Sequence, residues 1–294
     1  MSPPILRATF GRTPRTEALF DGRVASDRLR LQLEDFPTIN RAFAPMVREL
    51  RFDVSEMAIA TFLQARACGR PLVLLPVVLA ARFQQSALLC RADSDIAGPA
   101  DLAGRRVGVR AYSQTTGMWL RGILEDEHGV AANRIAWTTF EDAHVAGIAD
   151  PPWCERAPAG ADLLAMLRAG DLDAVIVGND VPADQGLRTV FPDPAASGDV
   201  FWRRHGFVPV NHMATMRRDL AEAHPDLLGE VLRMLGAAGA FAAAPQDGRD
   251  PYPAGRAALR PAIALALRYM ASQDMLPRPI EVDAVWDGLP APVR

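Results

Sequence analysis

The sequence predicts an α/β fold in two lobes, each a mostly parallel sheet flanked by helices. Short apolar segments of strand character alternate with amphipathic helical ones, the pattern of repeated strand–helix–strand units. The chain has 294 residues, 49% hydrophobic and 23% charged, enough for two modest cores. A polar break at Ala92-Asp93-Ser94-Asp95 separates one alternating run from the next.

In chain order, 5–10 reads as a strand, 16–20 as a helix start, 29–33 as a strand, 39–49 as a helix and 54–67 as another helix. The continuous apolar runs at 71–78 and 87–90 suit strands buried on both faces. Beyond the polar break, 99–104 is a helical turn, 107–109 a strand, 113–129 a helix stopped by Gly129, and 135–138 a strand. A helix at 163–168 and a turn into a strand over 170–177 repeat the unit. Past Pro192-Asp193-Pro194, 207–216 reads as a strand and 225–244 as a helix. Pro225 sits in that helix's first turn, where a missing N–H costs nothing. The last long helix is 259–270, and the proline-rich tail is expected to pack across the first lobe. The second lobe is expected to begin at the polar break, from residue 93. An exposed apolar helix near 257–270 leaves a homodimer open.

Composition excludes several classes of function. The net charge is -3, with acids and bases interspersed, so no field favours nucleic acid. The longest apolar run, 71–81, is too short to span a bilayer. The start of the chain has no basic segment, apolar stretch and small-residue cleavage site in series, and a cytoplasmic location is expected. Cys68, Cys90 and Cys154 are odd in number and widely spaced, which indicates neither a disulfide framework nor a zinc site.

The most informative stretch is 104–124, where a short apolar strand runs into a hydroxyl-rich turn that opens an amphipathic helix. The turn carries Tyr112, Ser113, Gln114, Thr115 and Thr116, and the helix continues through Trp119, Leu120, Ile123 and Leu124. Free N–H groups at a helix start, the macrodipole and neighbouring hydroxyls together suit a carboxylate or phosphate. Ser113 or Thr115 acting only as an N-cap is the competing reading.

Several motifs, in order, resemble the 4,5-dihydroxyphthalate decarboxylase-like family, a cytoplasmic enzyme branch of the type 2 periplasmic-binding-protein fold. They are Phe52-Asp53-Val54-Ser55-Glu56-Met57, then Arg82-Phe83 followed by Ser86, and Asp101-Leu102 with Gly104, Arg106, Val107, Gly108 and Val109. Further on come the segment 119–130, beginning Trp119-Leu120-Arg121-Gly122, and Val210-Asn211-His212 followed by Arg217-Arg218-Asp219-Leu220 and His224-Pro225. The likeness covers about 7–279, matching less well at 140–161 and 180–202. The family's acidic and aromatic run near the N-terminus is replaced by Gly11-Arg12-Thr13-Pro14-Arg15-Thr16.

The resemblance implies a discontinuous first lobe at 1–92 and 203–294 around a second lobe at 93–202, and decarboxylation of a hydroxylated aromatic dicarboxylate, such as 4,5-dihydroxyphthalate, in a cleft between the lobes and without a cofactor. Such chemistry asks for cations to grip a carboxylate, an apolar pocket for the departing one, and a proton donor for the ring carbon. Arg82 and Arg15 are the candidate grips, since a guanidinium pairs bidentately with carboxylate; each also suits an ion pair between lobes. Ser55, Ser113, Gln114, Thr115, Thr116 and Asn211 would add neutral donors, and Tyr112 and Trp119 an aromatic stack, although a Trp at this spacing equally suits a core. His212 is the candidate acid, set against a buried His bonded to backbone. Glu56 is its expected partner, set against a carboxylate in a capping box with Asp53. A divalent metal held by His212 with Glu56 or Asp180 stays open, since no ligand spacing specifies one. Two other readings share the fold: a non-catalytic binder of an aromatic or dicarboxylic anion, and an enzyme acting on a menaquinone or thiamin precursor. The motif at 119–130 favours the decarboxylase branch over the latter.

Overall fold

The structure, a computed structural model, describes residues 3–178, 182–241 and 247–290. Its strands are β1 (Ile5–Thr9), β2 (Arg30–Leu33), β3 (Val54–Ala58), β4 (Leu72–Ala81), β5 (Leu88–Arg91), β6 (Arg106–Val109), β7 (Ala136–Thr139), β8 (Cys154–Arg156), β9 (Ala174–Ile176), β10 (Leu187–Thr189) and β11 (Val210–Arg217). The helices are α1 (Glu17–Phe20), α2 (Phe43–Glu49), α3 (Ile59–Ala67), α4 (Thr115–His128), α5 (Leu163–Ala169), α6 (Pro194–His205), α7 (Arg218–Ala223), α8 (Pro225–Leu235) and α9 (Arg256–Ser272).

Two sheets organise these elements, in the orders β2-β1-β3-β11-β4 and β10-β5-β9-β6-β7-β8. Parallel pairs join β1 to β2 and β3, β6 to β7 and β9, and β7 to β8. Every antiparallel pair between these strands involves β5 or β11, the strand laid down immediately after each crossing between sheets. Helices cover the sheets because strands buried on both faces need apolar cover. β3 is buried at every position and β4 at its first eight. Pro76 is tolerated inside β4 because that strand is the sheet's edge. There its carbonyl accepts from Gly255, and Val77 bridges Ala254.

The structure moves several expected boundaries. The first crossing lies between Ala81 and Leu88, because β5 belongs to the second sheet; the polar break at 92–95 is a turn after that strand. The run 54–67 is not one helix but β3 followed by α3. A short, wholly apolar stretch carries no period to separate strand from helix, and here parallel pairing with β1 decides the first half. The helix expected over 225–244 ends as α8 at Leu235 and passes into a π-turn, Gly236–Ala240, with Gly239 at φ 111°, a conformation that favours glycine. Residues 242–244 of that expectation lie outside the described residues.

The apolar face of α9, expected to be exposed and open to a dimer, is buried at Leu259, Ile263, Ala266, Tyr269 and Met270. Nor does α9 simply complete the first lobe, since it packs on α4 of the second. Gly122 there leaves room for the Tyr269 ring, and Arg268 and the Tyr269 hydroxyl both bond Asp126. The tail packs on the first lobe as expected: Arg66 donates to the Ala284 carbonyl and Arg218 to that of Asp287.

Candidate active site

In sheets of this topology the crevice lies beyond the carboxyl ends of the parallel strands, where successive loops splay apart. A cleft of about 640 Å³ occupies that position. Its walls come from Gly11, Arg12 and Thr13 after β1, Ala58 at the end of β3, Arg110 and Ser113 to Thr116 after β6, His144 after β7 and Gly178 after β9. Asn211 and His212 reach it from the start of β11, which runs the opposite way.

The register of β3 and β11 explains the pair at its centre. Ala214 faces Glu56 and Ala58 faces His212 across the antiparallel ladder, so Glu56 and His212 are diagonal neighbours on one face. His212 Nδ1–H donates to Glu56 Oε1 at 2.6 Å, and the Gly11 N–H donates to Oε2 at 2.8 Å. Both carboxylate oxygens are thus engaged, at a residue only 3% exposed. The carboxylate fixes the ring's tautomer and leaves Nε2 as the working nitrogen. Nε2 has no partner among the described residues and is reachable from the cleft. The expected alternative for Glu56, a capping box with Asp53, fails because both precede a strand or lie in it: Asp53 instead bonds the Arg7 N–H and Arg217.

Ser55, one residue earlier, points to the opposite face and bonds Thr215 Oγ1 at 3.0 Å. It belongs to the core, not the cleft. Asn211 does line the cleft beside His212, and register shifts at Val210, His212 and Met213 allow two consecutive residues to do so. Its Oδ1 accepts from Gln84 Nε2 at 2.6 Å, leaving Nδ2 for a ligand.

The hydroxyl-rich turn opens α4 with Gln114 as the N-cap and no side-chain cap bond. The competing reading of Ser113 or Thr115 as that cap is therefore set aside. Thr115 Oγ1 accepts instead from the Ala60 N–H in the first turn of α3, at 3.2 Å, and Thr116 Oγ1 from Arg82 Nη2 at 3.3 Å. Ser113 Oγ and Gln114 Oε1 are buried, line the cleft and have no partner among the described residues, a state that buried polar atoms seldom keep without a ligand or water.

Four residues expected in the site stand elsewhere or behind it. Arg15 stacks on Tyr252 at 3.3 Å and donates to the Gly239 carbonyl at 2.9 Å, outside the cleft lining. Tyr112 is a core residue whose hydroxyl donates to the Gln273 carbonyl and accepts from Trp153 Nε1. Trp119 is packed among Phe201, Phe207 and Tyr269, with Nε1 donating to the Val210 carbonyl at 2.8 Å. It thereby braces the strand end that carries Asn211 and His212. Arg82 donates to the Gly178 carbonyl at 3.0 Å as well as to Thr116, behind the cleft surface. Asp180 lies outside the described residues, and among those described no three His, Cys, Asp or Glu side chains converge.

The structure adds residues that sequence reasoning missed. Arg12, paired with Asp35 and Glu17, and Arg110, paired with Glu141, line the cleft. Their position just past strands β1 and β6 was the available signal. Phe43 contacts two imidazoles, edge to face with His212 at 5.2 Å and with His144 at 5.6 Å. His144 Nδ1 and Thr61 Oγ1 share a hydrogen bond of 2.9 Å, and Arg48 donates to the carbonyls of Ala143 and His144. Burial, then Arg110, Arg48 and His212, push the His144 pKa down to about 4, so this ring is neutral near pH 7.

Two sheets joined by two crossings, with a cleft at their strand ends, define a periplasmic-binding-protein-like α/β fold. The alkanesulfonate-binding protein SsuA from Xanthomonas axonopodis pv. citri, bound to MOPS, has the same fold with a TM-score of 0.65 at 17% identity, over 97% of this chain and 98% of that one. No family model matches the sequence. A 4,5-dihydroxyphthalate decarboxylase from Comamonas testosteroni is 31% identical over 254 residues, 79% of this chain and 74% of that protein. One from Pseudomonas putida is 30% identical over 181 residues, 58% of this chain and 69% of that one. The chain belongs to the 4,5-dihydroxyphthalate decarboxylase family and is, with it, a carboxy-lyase.

Proposed function

We propose that the protein removes one carboxylate from a hydroxylated aromatic dicarboxylate of the 4,5-dihydroxyphthalate type. The observation that carries this is the Glu56–His212 pair, a buried carboxylate holding an imidazole whose free nitrogen faces the cleft. A carboxylate that orients an imidazole and balances its charge suits proton transfer to a bound ligand. The retained carboxylate is received by the uncapped start of α4 and Ser113 Oγ, where N–H groups and the macrodipole favour negative charge. Arg82 backs the same turn through Thr116, and Phe43 offers the ring an apolar edge.

In the reacting step His212 Nε2–H gives its proton to the ring carbon that bears the departing carboxylate. The Glu56 carboxylate balances the charge on the imidazole while it holds that proton. The bond from ring carbon to carboxylate then breaks, its electron pair restores the aromatic ring, and carbon dioxide leaves. One C–H bond replaces one C–C bond, and neutral His212 takes a new proton from water. Electron donation from a hydroxyl para to the reacting carbon assists the protonation. The sequence contains no lysine, all 32 of its Lys+Arg residues being arginine, so a lysine imine is not the electron sink. Free thiols at Cys68, Cys90 and Cys154 agree with a cytoplasmic setting.

The test is to incubate the purified protein with 4,5-dihydroxyphthalate and related hydroxyphthalates, with and without divalent metal, following substrate loss and carbon dioxide release. Turnover of the dihydroxy compound is expected. Calorimetric binding across the same panel without turnover would instead identify an anion-binding protein.

A further inference from the structure

We infer that His144 is the residue that recognises the ring hydroxyl para to the departing carboxylate, so that the substrate ring lies between two imidazoles with separate tasks. This rests on the decarboxylase reading above and names a positioning residue within the same cleft. His144 comes from the second lobe, on the loop after β7, whereas His212 comes from the first. Each has Nδ1 committed to a protein partner, Thr61 in one case and Glu56 in the other. Each has Nε2 without a partner among the described residues and reachable from the cleft.

The two imidazoles share one wall residue. Phe43 contacts both imidazoles edge to face, at 5.6 Å and 5.2 Å between centroids. Both imidazoles therefore flank Phe43 on the wall of the same cleft, which His144 and His212 both line. With His212 at the reacting carbon, the opposite end of the ring and its para oxygen face His144.

The partner chemistry follows from charge. Titratable and charged groups facing His144 are Arg110 after β6, Arg48 on α2 and His212 on β11, all of which oppose a further positive charge. Protonating the ring carbon spreads positive charge onto the para oxygen, so a cationic neighbour there would oppose the step and a neutral imidazole does not. Neutral imidazole offers Nε2 as a donor or an acceptor according to which nitrogen carries its proton, and a hydroxyl matches either. A carboxylate would match only one.

The experiment compares the wild type with His144→Phe, which keeps the ring shape but loses both nitrogens, and His144→Gln, which restores a polar atom near the Nε2 position. Binding of 4,5-dihydroxyphthalate and of plain phthalate is measured by calorimetry, and kcat and KM for the former. His144→Phe is expected to weaken the dihydroxy ligand about tenfold, the scale of one buried hydrogen bond, and to lower kcat further. Phthalate affinity should stay within about twofold, and His144→Gln should recover part of the loss. Equal weakening of both ligands, or of neither, overturns the assignment, as does a wild type that binds the two alike. A wild type that never turns over substrate yet loses its preference for the dihydroxy ligand in His144→Phe would retain this assignment while the decarboxylase reading fails. Turnover with no such loss would do the reverse.

Discussion

Glu56 accepts from Gly11 with one oxygen and from His212 with the other, so an isosteric amide cannot satisfy both donors. In Glu56→Gln one bond survives and the second sets an NH2 group against an N–H, removing the charge that balances His212 as it holds its proton. kcat should fall roughly 10–100-fold with KM within about threefold. His212→Ala should cut turnover about a hundredfold or more while binding stays within about tenfold. Steady-state kinetics on both decides which residue delivers the proton: a larger loss in Glu56→Gln would give that role to the carboxyl group. The sequence motifs named His212, Glu56, Asn211 and the turn 113–116, and the structure brings these together at one cleft. The same motifs contained Ser55 and Trp119, which are core. A motif does not say which of its residues pack and which bind; that follows only from strand alternation and register. His144 had no such signal, since it stands on an aperiodic loop where the family likeness is weakest.

The alternation of strands and helices was legible in the pattern, whereas the return of the chain to the first sheet at β11 was expected only from the family resemblance. What the pattern could not resolve was 54–67, where a buried strand and a buried helix share the same uniform apolarity. Only pairing with β1 and β11 puts Glu56 on a ladder opposite Ala214. The exposed helix expected near 257–270 fails for a related reason: α9 has an apolar stripe, but its partner, α4, lies far away in sequence. Packing between these two helices depends on Gly122, where an added Cβ would fall on the Tyr269 ring. Tyr269 is fully buried and its hydroxyl bonds Asp126, so the ring has nowhere to go. Gly122→Ala should lower stability by about 3 kcal/mol, the upper end for overpacking a dense core. Thermal melting checks this, and an unchanged Tm would mean that α9 slides along α4 without strain.

Across the whole molecule the lobes are bridged at several points around the cleft. Arg48 holds the carbonyls of Ala143 and His144, Thr61 holds the His144 ring, Thr115 caps α3 at Ala60, and Arg82 reaches Thr116 and Gly178. His144 is the member of this set with an imidazole to titrate, so the stability of the fold inherits its pH response. Its pKa is about 4 in the folded protein against an ordinary 6.5. Between these values the unfolded chain binds a proton that the folded one refuses, so stability rises with pH through the window. The contribution is intact above about pH 6.5, falls as pH drops and is lost by about pH 4. Between pH 7 and pH 5 this amounts to about 2 kcal/mol. His128 and His205, also lowered by burial, act in the same direction. Asp126 and Asp173, held below the ordinary carboxylate value by Arg268 and Arg106, lose their contribution only at still lower pH. Denaturant unfolding at pH 7 and pH 5, on the wild type and on His144→Gln, isolates the ring. The variant should lose about 2 kcal/mol less than the wild type over that interval; identical losses would show that His144 takes up its proton as readily folded as unfolded.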